Sequence, residues 1–264
     1  MKIDCENLAN EILDKVKAVP NKKKLVIITV GNDPASASYV KGKKKDCDRC
    51  GIEYIHEVFD ENATPTDVAN MIAKYNDMDS VGGIILQLPT PFDKAIEDGL
   101  TYCISSEKDV DGFRLGSPFK PCTPEGIMHI LKKEYGNLEG ANVLLIGRGK
   151  LVGKPLIDLL MNENCTLTIA HSKSKNILHL LFGNYDIIIT AINSVHSIDI
   201  SYCHSKIVVD AGIGYYDGHL CGNCYNYSYN SIYKITPVPK GVGLLTRAML
   251  MAHIAKASDP DFEY

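Results

Sequence analysis

The feature that most constrains this chain is a series of short, nearly unbroken apolar runs: Leu25 to Val30, Tyr54 to Val58, Gly83 to Gln87, Val143 to Ile146, Leu167 to Ala170, Ile187 to Thr190 and Lys206 to Val209. Most are continuous rather than alternating, which predicts parallel strands covered on both faces. Helical patterns lie between them, at Cys5 to Val16, Ala35 to Cys50, Thr66 to Asn76, Gly126 to Glu134 and Gly153 to Asn162. Strand–helix alternation of this kind predicts an α/β fold with right-handed crossovers. Pro118, Pro121 and Pro124 mark a crossing between two α/β lobes, residues 1–118 and 119–243. Thr123 followed by Pro124 reads as a helix start with a capping hydroxyl.

With 264 residues the chain has room for two such lobes, at ~150 residues per domain. Its 45% apolar and 23% charged residues exclude a disordered chain. A formal net charge of −4 gives no basic footprint for nucleic acid. No apolar run approaches the ~20 residues that span a bilayer. Asp4 and Glu6 stand where a signal peptide would be apolar, so a cytoplasmic protein is expected. Nine cysteines cannot all pair within one chain. Two C-x-x-C pairs, Cys47/Cys50 and Cys221/Cys224, lie far apart, whereas zinc knuckles usually sit ~15–20 residues apart. Reduced structural thiols, with no metal, are expected.

The second lobe opens on a strand followed by Gly147-Arg148-Gly149-Lys150-Leu151-Val152-Gly153 and a helix. Glycines in such a turn let the backbone approach a pyrophosphate, which the helix N-terminus attracts. The spacing is G-x-G-x-x-x-G, one residue longer than the usual fingerprint, and any tight strand-to-helix turn also favours glycine. The next strand ends in Ala170-His171-Ser172-Lys173-Ser174, without the carboxylate that binds a ribose 2′-hydroxyl. Arg148, Ser172 and Lys173 suit a 2′-phosphate instead, which predicts NADP. The alternative is a solvated polar turn.

In the first lobe, Asp33-Pro34 predicts a helix start, with Tyr39 and Lys43 on one face. An amine oriented by a phenol suits proton transfer. The same run, with Lys41, Lys44 and Lys45, equally describes a solvated basic face. Gln87 ends an apolar strand, where parallel sheets present ligand groups. A carboxylate of Asp109 or Asp111 can accept two hydrogen bonds from a heterocycle, or simply staple a turn.

Together, Ala35 through Lys43, Gln87-Leu88-Pro89-Thr90-Pro91, Lys108 through Phe113, Pro121 through Pro124, Gly147 through Pro155, His171-Ser172-Lys173 and Thr236 through Thr246 resemble the bifunctional methylenetetrahydrofolate dehydrogenase/cyclohydrolase family, in the family's order. The resemblance implies a folate-binding lobe completed by a C-terminal helix at 244–264, a Rossmann-like NADP lobe, a cleft between them and a homodimer. It implies oxidation of 5,10-methylenetetrahydrofolate and hydrolysis of the methenyl product to 10-formyltetrahydrofolate. A monofunctional member and a non-catalytic folate- or nucleotide-binding homologue are the alternatives. By position, Lys43 matches the catalytic lysine, Tyr39 its partner over the substrate, Gln87 the glutamine bonded to that lysine, and Asp111 the pterin-binding carboxylate. Leu88, Pro89, Gly241, Val242 and Gly243 match substrate contacts. Gly147, Arg148, Gly149, Gly153, His171, Ser172, Lys173, Thr236 and Pro237 match cofactor contacts. Four positions depart from the pattern: Gly149 replaces serine, Asn193 and Lys240 replace glycine, and Leu244 replaces proline. The stretch from Cys221 to Ser231 is also unusual.

Overall fold

Every strand expected above forms, and every pairing between those strands is parallel. The structure, a computed structural model, describes residues 1–174, 183–201, 203–227 and 232–264. They form two units: Asn10–Cys122 with Arg247–Tyr264, and Met1–Ala9 with Thr123–Thr246.

The unit beginning at Asn10 holds β1 (Lys24–Val30), β2 (Tyr54–Phe59) and β3 (Val81–Leu86), in the order β2-β1-β3. One sheet face packs Val26, Ile28, Ile84 and Leu86 against Val68, Ile72 and Tyr75 of α3 (Pro65–Asn76) and Leu100 of α4 (Lys94–Cys103). Gly83 admits close packing behind β3, where an added Cβ would lie 2.6 Å from Ile254. Ile254 belongs to the closing helix, Val242–Ser258, which is apolar on nearly every side and buries Met249, Met251, Ala252 and Ile254. No described helix is long and apolar enough to cross a membrane.

The other unit holds a five-stranded sheet. Its strands are β4 (Asn142–Ile146), β5 (Thr166–Ala170), β6 (Ile187–Thr190), β8 (Ser205–Asp210) and β12 (Ile232–Ile235), in the order β12-β8-β6-β4-β5. Short additions flank it: β7 (Ile198–Asp199) pairs with β11 (Cys224–Tyr225), and β9 (Gly214–Tyr216) forms a hairpin with β10 (His219–Cys221). The amino terminus joins this unit through the Ile3 N–H, which donates to the Ile235 carbonyl at 2.8 Å. The order puts β4 where successive crossovers leave in opposite directions, the usual position for a ligand in an open parallel sheet.

Two local expectations are corrected. The helix α5 (Cys122–Glu134) begins one residue earlier, so Thr123 lies inside its first turn and does not cap it. The Thr123 hydroxyl instead meets that of Thr246 at 3.0 Å. Strand β3 ends at Leu86, one residue before Gln87, although the Gln87 N–H still donates to the Ile28 carbonyl at 2.8 Å.

Candidate active site

In the Asn10 unit the site is built on α2 (Pro34–Cys50). Asp33 caps it, accepting the Ser36 N–H at 2.6 Å, and Pro34 occupies the first turn. This start fixes the phase of the helix and places Tyr39 and Lys43 one turn apart on one side. Lys43 is not part of a solvated face: it is only 7% exposed, while Lys41 and Lys45 are exposed. Its Nζ donates to Gln87 Oε1 at 3.0 Å. Gln87 Nε2 in turn donates to the Leu88 carbonyl at 2.8 Å, which also accepts the Ser36 hydroxyl at 3.3 Å. The amide is therefore held with its oxygen towards the amine. The Leu88–Pro89 bond is cis.

Tyr39 remains 39% exposed. Partial burial raises its phenol pKa, and the positive Arg247 opposes that rise. Arg247 Nε pairs with Asp46 Oδ2 at 2.8 Å, and the guanidinium lies against Gly42, where a Cβ would meet Nη1 at 2.2 Å.

The two aspartates of the 108–113 segment have different surroundings. Asp109 is 1% exposed and accepts the Gly112 and Arg114 N–H groups at 3.2 and 2.6 Å. Burial raises its pKa against those hydrogen bonds. It is the turn staple. The Asp111 side chain is half-buried and has no hydrogen-bond or ion-pair partner among the described residues. Its backbone is fixed from both sides. The Asp111 carbonyl accepts the Cys122 N–H at 3.3 Å, and His253 Nδ1 lies 2.7 Å from the Val110 carbonyl.

In the other unit the glycine turn follows β4. Gly147 has φ +118°, and a Cβ there would sit 2.1 Å from the Ala191 carbonyl oxygen. A Cβ on Gly153 would sit 2.3 Å from the Gly147 carbonyl oxygen. Both positions need glycine. Gly149 has open space, so a serine would fit there. Helix α6 (Gly153–Asn162) starts without a side-chain cap. Ile146 and Ala170 are register partners, so the glycine turn and the His171–Ser174 turn leave the same sheet edge side by side. Arg148, Ser172 and Lys173 are exposed, and His171 is half-buried, its Nδ1 accepting the Lys173 N–H at 3.2 Å. This donor set fits a dinucleotide: close backbone, an uncapped helix start and cations, with no Asp or Glu in either turn.

Thr236 is buried, and its hydroxyl accepts the Asp210 N–H at 2.8 Å. Pro237 is half-buried, and its carbonyl oxygen would lie 2.0 Å from a Cβ on Gly241. Val242 is buried and Gly243 half-buried at the start of the closing helix. Lys240 takes φ +72°, which accounts for glycine being the family's residue there. Asn193 is exposed and Leu244 half-buried. Residues 228–231 of the unusual stretch lie outside the described residues.

The cysteines of both C-x-x-C pairs are free thiols. Cys47 and Cys50 are buried in α2, with pKa values pushed by burial to about 12 and about 11. Sequence reading missed Arg247, His253 and the buried pair Asp210 and Asn223. The one signal for Asp210 is an acid closing the apolar run Ile207-Val208-Val209.

Family models match both halves of the chain. The model for the tetrahydrofolate dehydrogenase/cyclohydrolase catalytic domain matches residues 3–111, and that for the NAD(P)-binding domain of the same family matches residues 121–261. The chain is 38% identical to the bifunctional protein FolD of Agathobacter rectalis, over 97% of this chain and 98% of that protein. It is 37% identical to the FolD protein of Bacillus subtilis, over 96% and 93%. Among solved structures, the bifunctional FolD of Campylobacter jejuni superposes with a TM-score of 0.90 at 34% identity, covering 99% of each chain. A 5,10-methylenetetrahydrofolate dehydrogenase of the silkworm Bombyx mori gives 0.85 at 29% identity, covering 97% of each.

Proposed function

This chain belongs to the tetrahydrofolate dehydrogenase/cyclohydrolase family, and from that premise we propose how its residues divide the family's two reactions. The protein is an enzyme of one-carbon folate metabolism, a methylenetetrahydrofolate dehydrogenase and methenyltetrahydrofolate cyclohydrolase. Folate chemistry is assigned to the Asn10 unit, and dinucleotide binding to the unit with the five-stranded sheet.

Asp111 holds the pterin ring, its free carboxylate accepting paired N–H donors. Tyr39, Leu88 and Pro89 flank the substrate. Dehydrogenation demands alignment of the methylene C–H more than proton transfer. The bound dinucleotide supplies the hydride acceptor, and loss of hydride leaves the methenyl cation. Hydrolysis then adds water to the cationic carbon. The oxygen bonds to carbon, and a proton of that water passes to Lys43 Nζ. The proton returns to N5 as the carbon–N5 bond breaks, and the remaining hydroxyl proton leaves to solvent as the formyl C=O forms, which gives 10-formyltetrahydrofolate. Gln87 Oε1 orients the amine for both transfers.

Gly147, Gly149 and Gly153 bring backbone to the pyrophosphate, and His171 flanks it. Arg148, Ser172 and Lys173 bind the 2′-phosphate and make NADP the preferred dinucleotide. Thr236 and Pro237 complete that pocket through their backbone. A cytoplasmic homodimer is the expected working form.

The observation that carries this reading is the contact of the buried Lys43 amine with Gln87, one helical turn from Tyr39. Two absorbance assays test it. Added methenyltetrahydrofolate should lose its absorbance faster than the buffer blank. Methylenetetrahydrofolate should reduce NADP faster than NAD. A folded protein inert in the first assay would overturn the role of Lys43.

A further inference from the structure

Behind the glycine turn lies a buried polar network that the folate chemistry does not use. Asn223 is 0% exposed, and each polar atom of its side chain is engaged with one loop. Its Oδ1 accepts the Ile192 N–H at 3.1 Å, and its Nδ2 donates to the Ile192 and Ser194 carbonyls at 2.8 and 2.9 Å. Its backbone carbonyl accepts the Ser197 and Ile198 N–H groups, both at 2.9 Å. Asp210, at the end of β8, anchors Asn223 in turn. Asp210 Oδ1 accepts the Asn223 N–H at 3.0 Å, and Oδ2 accepts the Cys224 N–H at 2.9 Å. The middle of the same loop is gripped a second way. The His196 ring stacks on Tyr216 at 4.1 Å and against Tyr225 at 4.6 Å between centroids, and the His196 backbone N–H donates to the Gly222 carbonyl at 2.8 Å.

The loop so held is the one that touches the glycine turn. The Ala191 N–H donates to the Ile146 carbonyl at 2.8 Å, and the Ala191 carbonyl oxygen occupies the space a Gly147 side chain would need. Asn223 therefore acts on Gly147 through Ile192 and Ala191. We infer that the segment from Gly212 to Tyr225 is a clamp that pre-forms the dinucleotide site, with Asn223 its positioning residue. The inference rests on the dinucleotide reading of the glycine turn. A loop held before binding need not be ordered by the ligand, so the clamp acts on affinity. Because it acts on backbone at the sheet edge and not on the 2′-phosphate cations, it serves NADP and NAD alike.

The test is equilibrium titration of NADP and of NAD, by calorimetry, into the parent chain, Asn223→Ala, His196→Ala and Arg148→Ala. Asn223→Ala should raise both dissociation constants together, by about tenfold to a hundredfold, as loss of buried hydrogen bonds implies. His196→Ala, which keeps the Asn223 network and removes only the stacked ring, should raise both by a smaller common factor. Arg148→Ala should raise the NADP value alone. Methenyltetrahydrofolate hydrolysis, which uses no dinucleotide, should persist in Asn223→Ala and separates a loosened clamp from a damaged fold. Folded variants with parental affinities would overturn the inference. If Asn223→Ala does not fold, His196→Ala decides: a common rise supports the clamp, and a parental value overturns it. A parent chain that binds neither dinucleotide would overturn the dinucleotide reading itself, and the clamp with it.

Discussion

Lys43 shows how much one side chain's surroundings decide. In the sequence it is one of several lysines in a row, and only its burial against Gln87 sets it apart. Lys43→Met keeps the length and removes the amine, so methenyl hydrolysis should fall by the ~10²–10⁴ typical of acid–base catalysis. Dehydrogenase activity should fall less, and a wild-type hydrolysis rate would return Lys43 to the role of a helix-face lysine. Arg148→Ala should weaken NADP by about 1.5–3 kcal/mol, the worth of a charged hydrogen bond, and leave NAD nearly unchanged. Comparison of the two Michaelis constants checks this. Lys240 carries a left-handed φ of +72° without being glycine. Its exposed pair with Glu6, at 3.4 Å, offsets little of that strain. Lys240→Gly should stabilise the protein by up to about 1 kcal/mol, or ~2–4 °C in a melting curve. An unchanged melting temperature would mean the backbone there is unstrained.

At the scale of elements, the chain was most legible where burial is two-sided. Val143 to Ile146 and Ile187 to Thr190 are covered on both faces, so apolarity alone marks them. Strand β12 escaped notice because it is an edge strand, Ile-Tyr-Lys-Ile, with Tyr233 exposed between buried isoleucines. Helix α4 escaped because its buried positions include an acid, Glu97, which accepts the Thr90 N–H at 2.7 Å. The start of α2 was readable because a cap is a local device, whereas Asp210 and Asn223 meet only once the sheet exists. Asp33→Ala should cost about 1 kcal/mol through the lost cap, and Asp33→Asn much less. Urea midpoints of the two variants test this, and equal midpoints would show that the cap bears no weight.

At the scale of the molecule, the buried thiols of α2 tie stability to alkaline pH. Their folded pKa values, about 12 for Cys47 and about 11 for Cys50, lie above the ordinary thiol value of 9.0. A raised folded value means the native state keeps protons that the unfolded chain releases. The stabilisation is complete below pH 9.0 and is lost as pH rises towards those values, at ~1.4 kcal/mol per pH unit for each thiol. Urea unfolding in reducing buffer between these limits should show the decline, and Cys47→Ala with Cys50→Ala should make it shallower. An unaltered slope would mean the thiols ionise freely in the folded protein.

The division between the two units falls within or at the edge of three helices, after Ala9, after Cys122 and after Thr246. Neither unit is one continuous piece of chain. On the ribosome, the three-stranded sheet emerges early but waits for residues beyond 246 before Ile254 can cover β3. The first nine residues wait for β12. Both cores therefore close only after their late segments have emerged, and an elongating chain should remain open to proteases and chaperones until then.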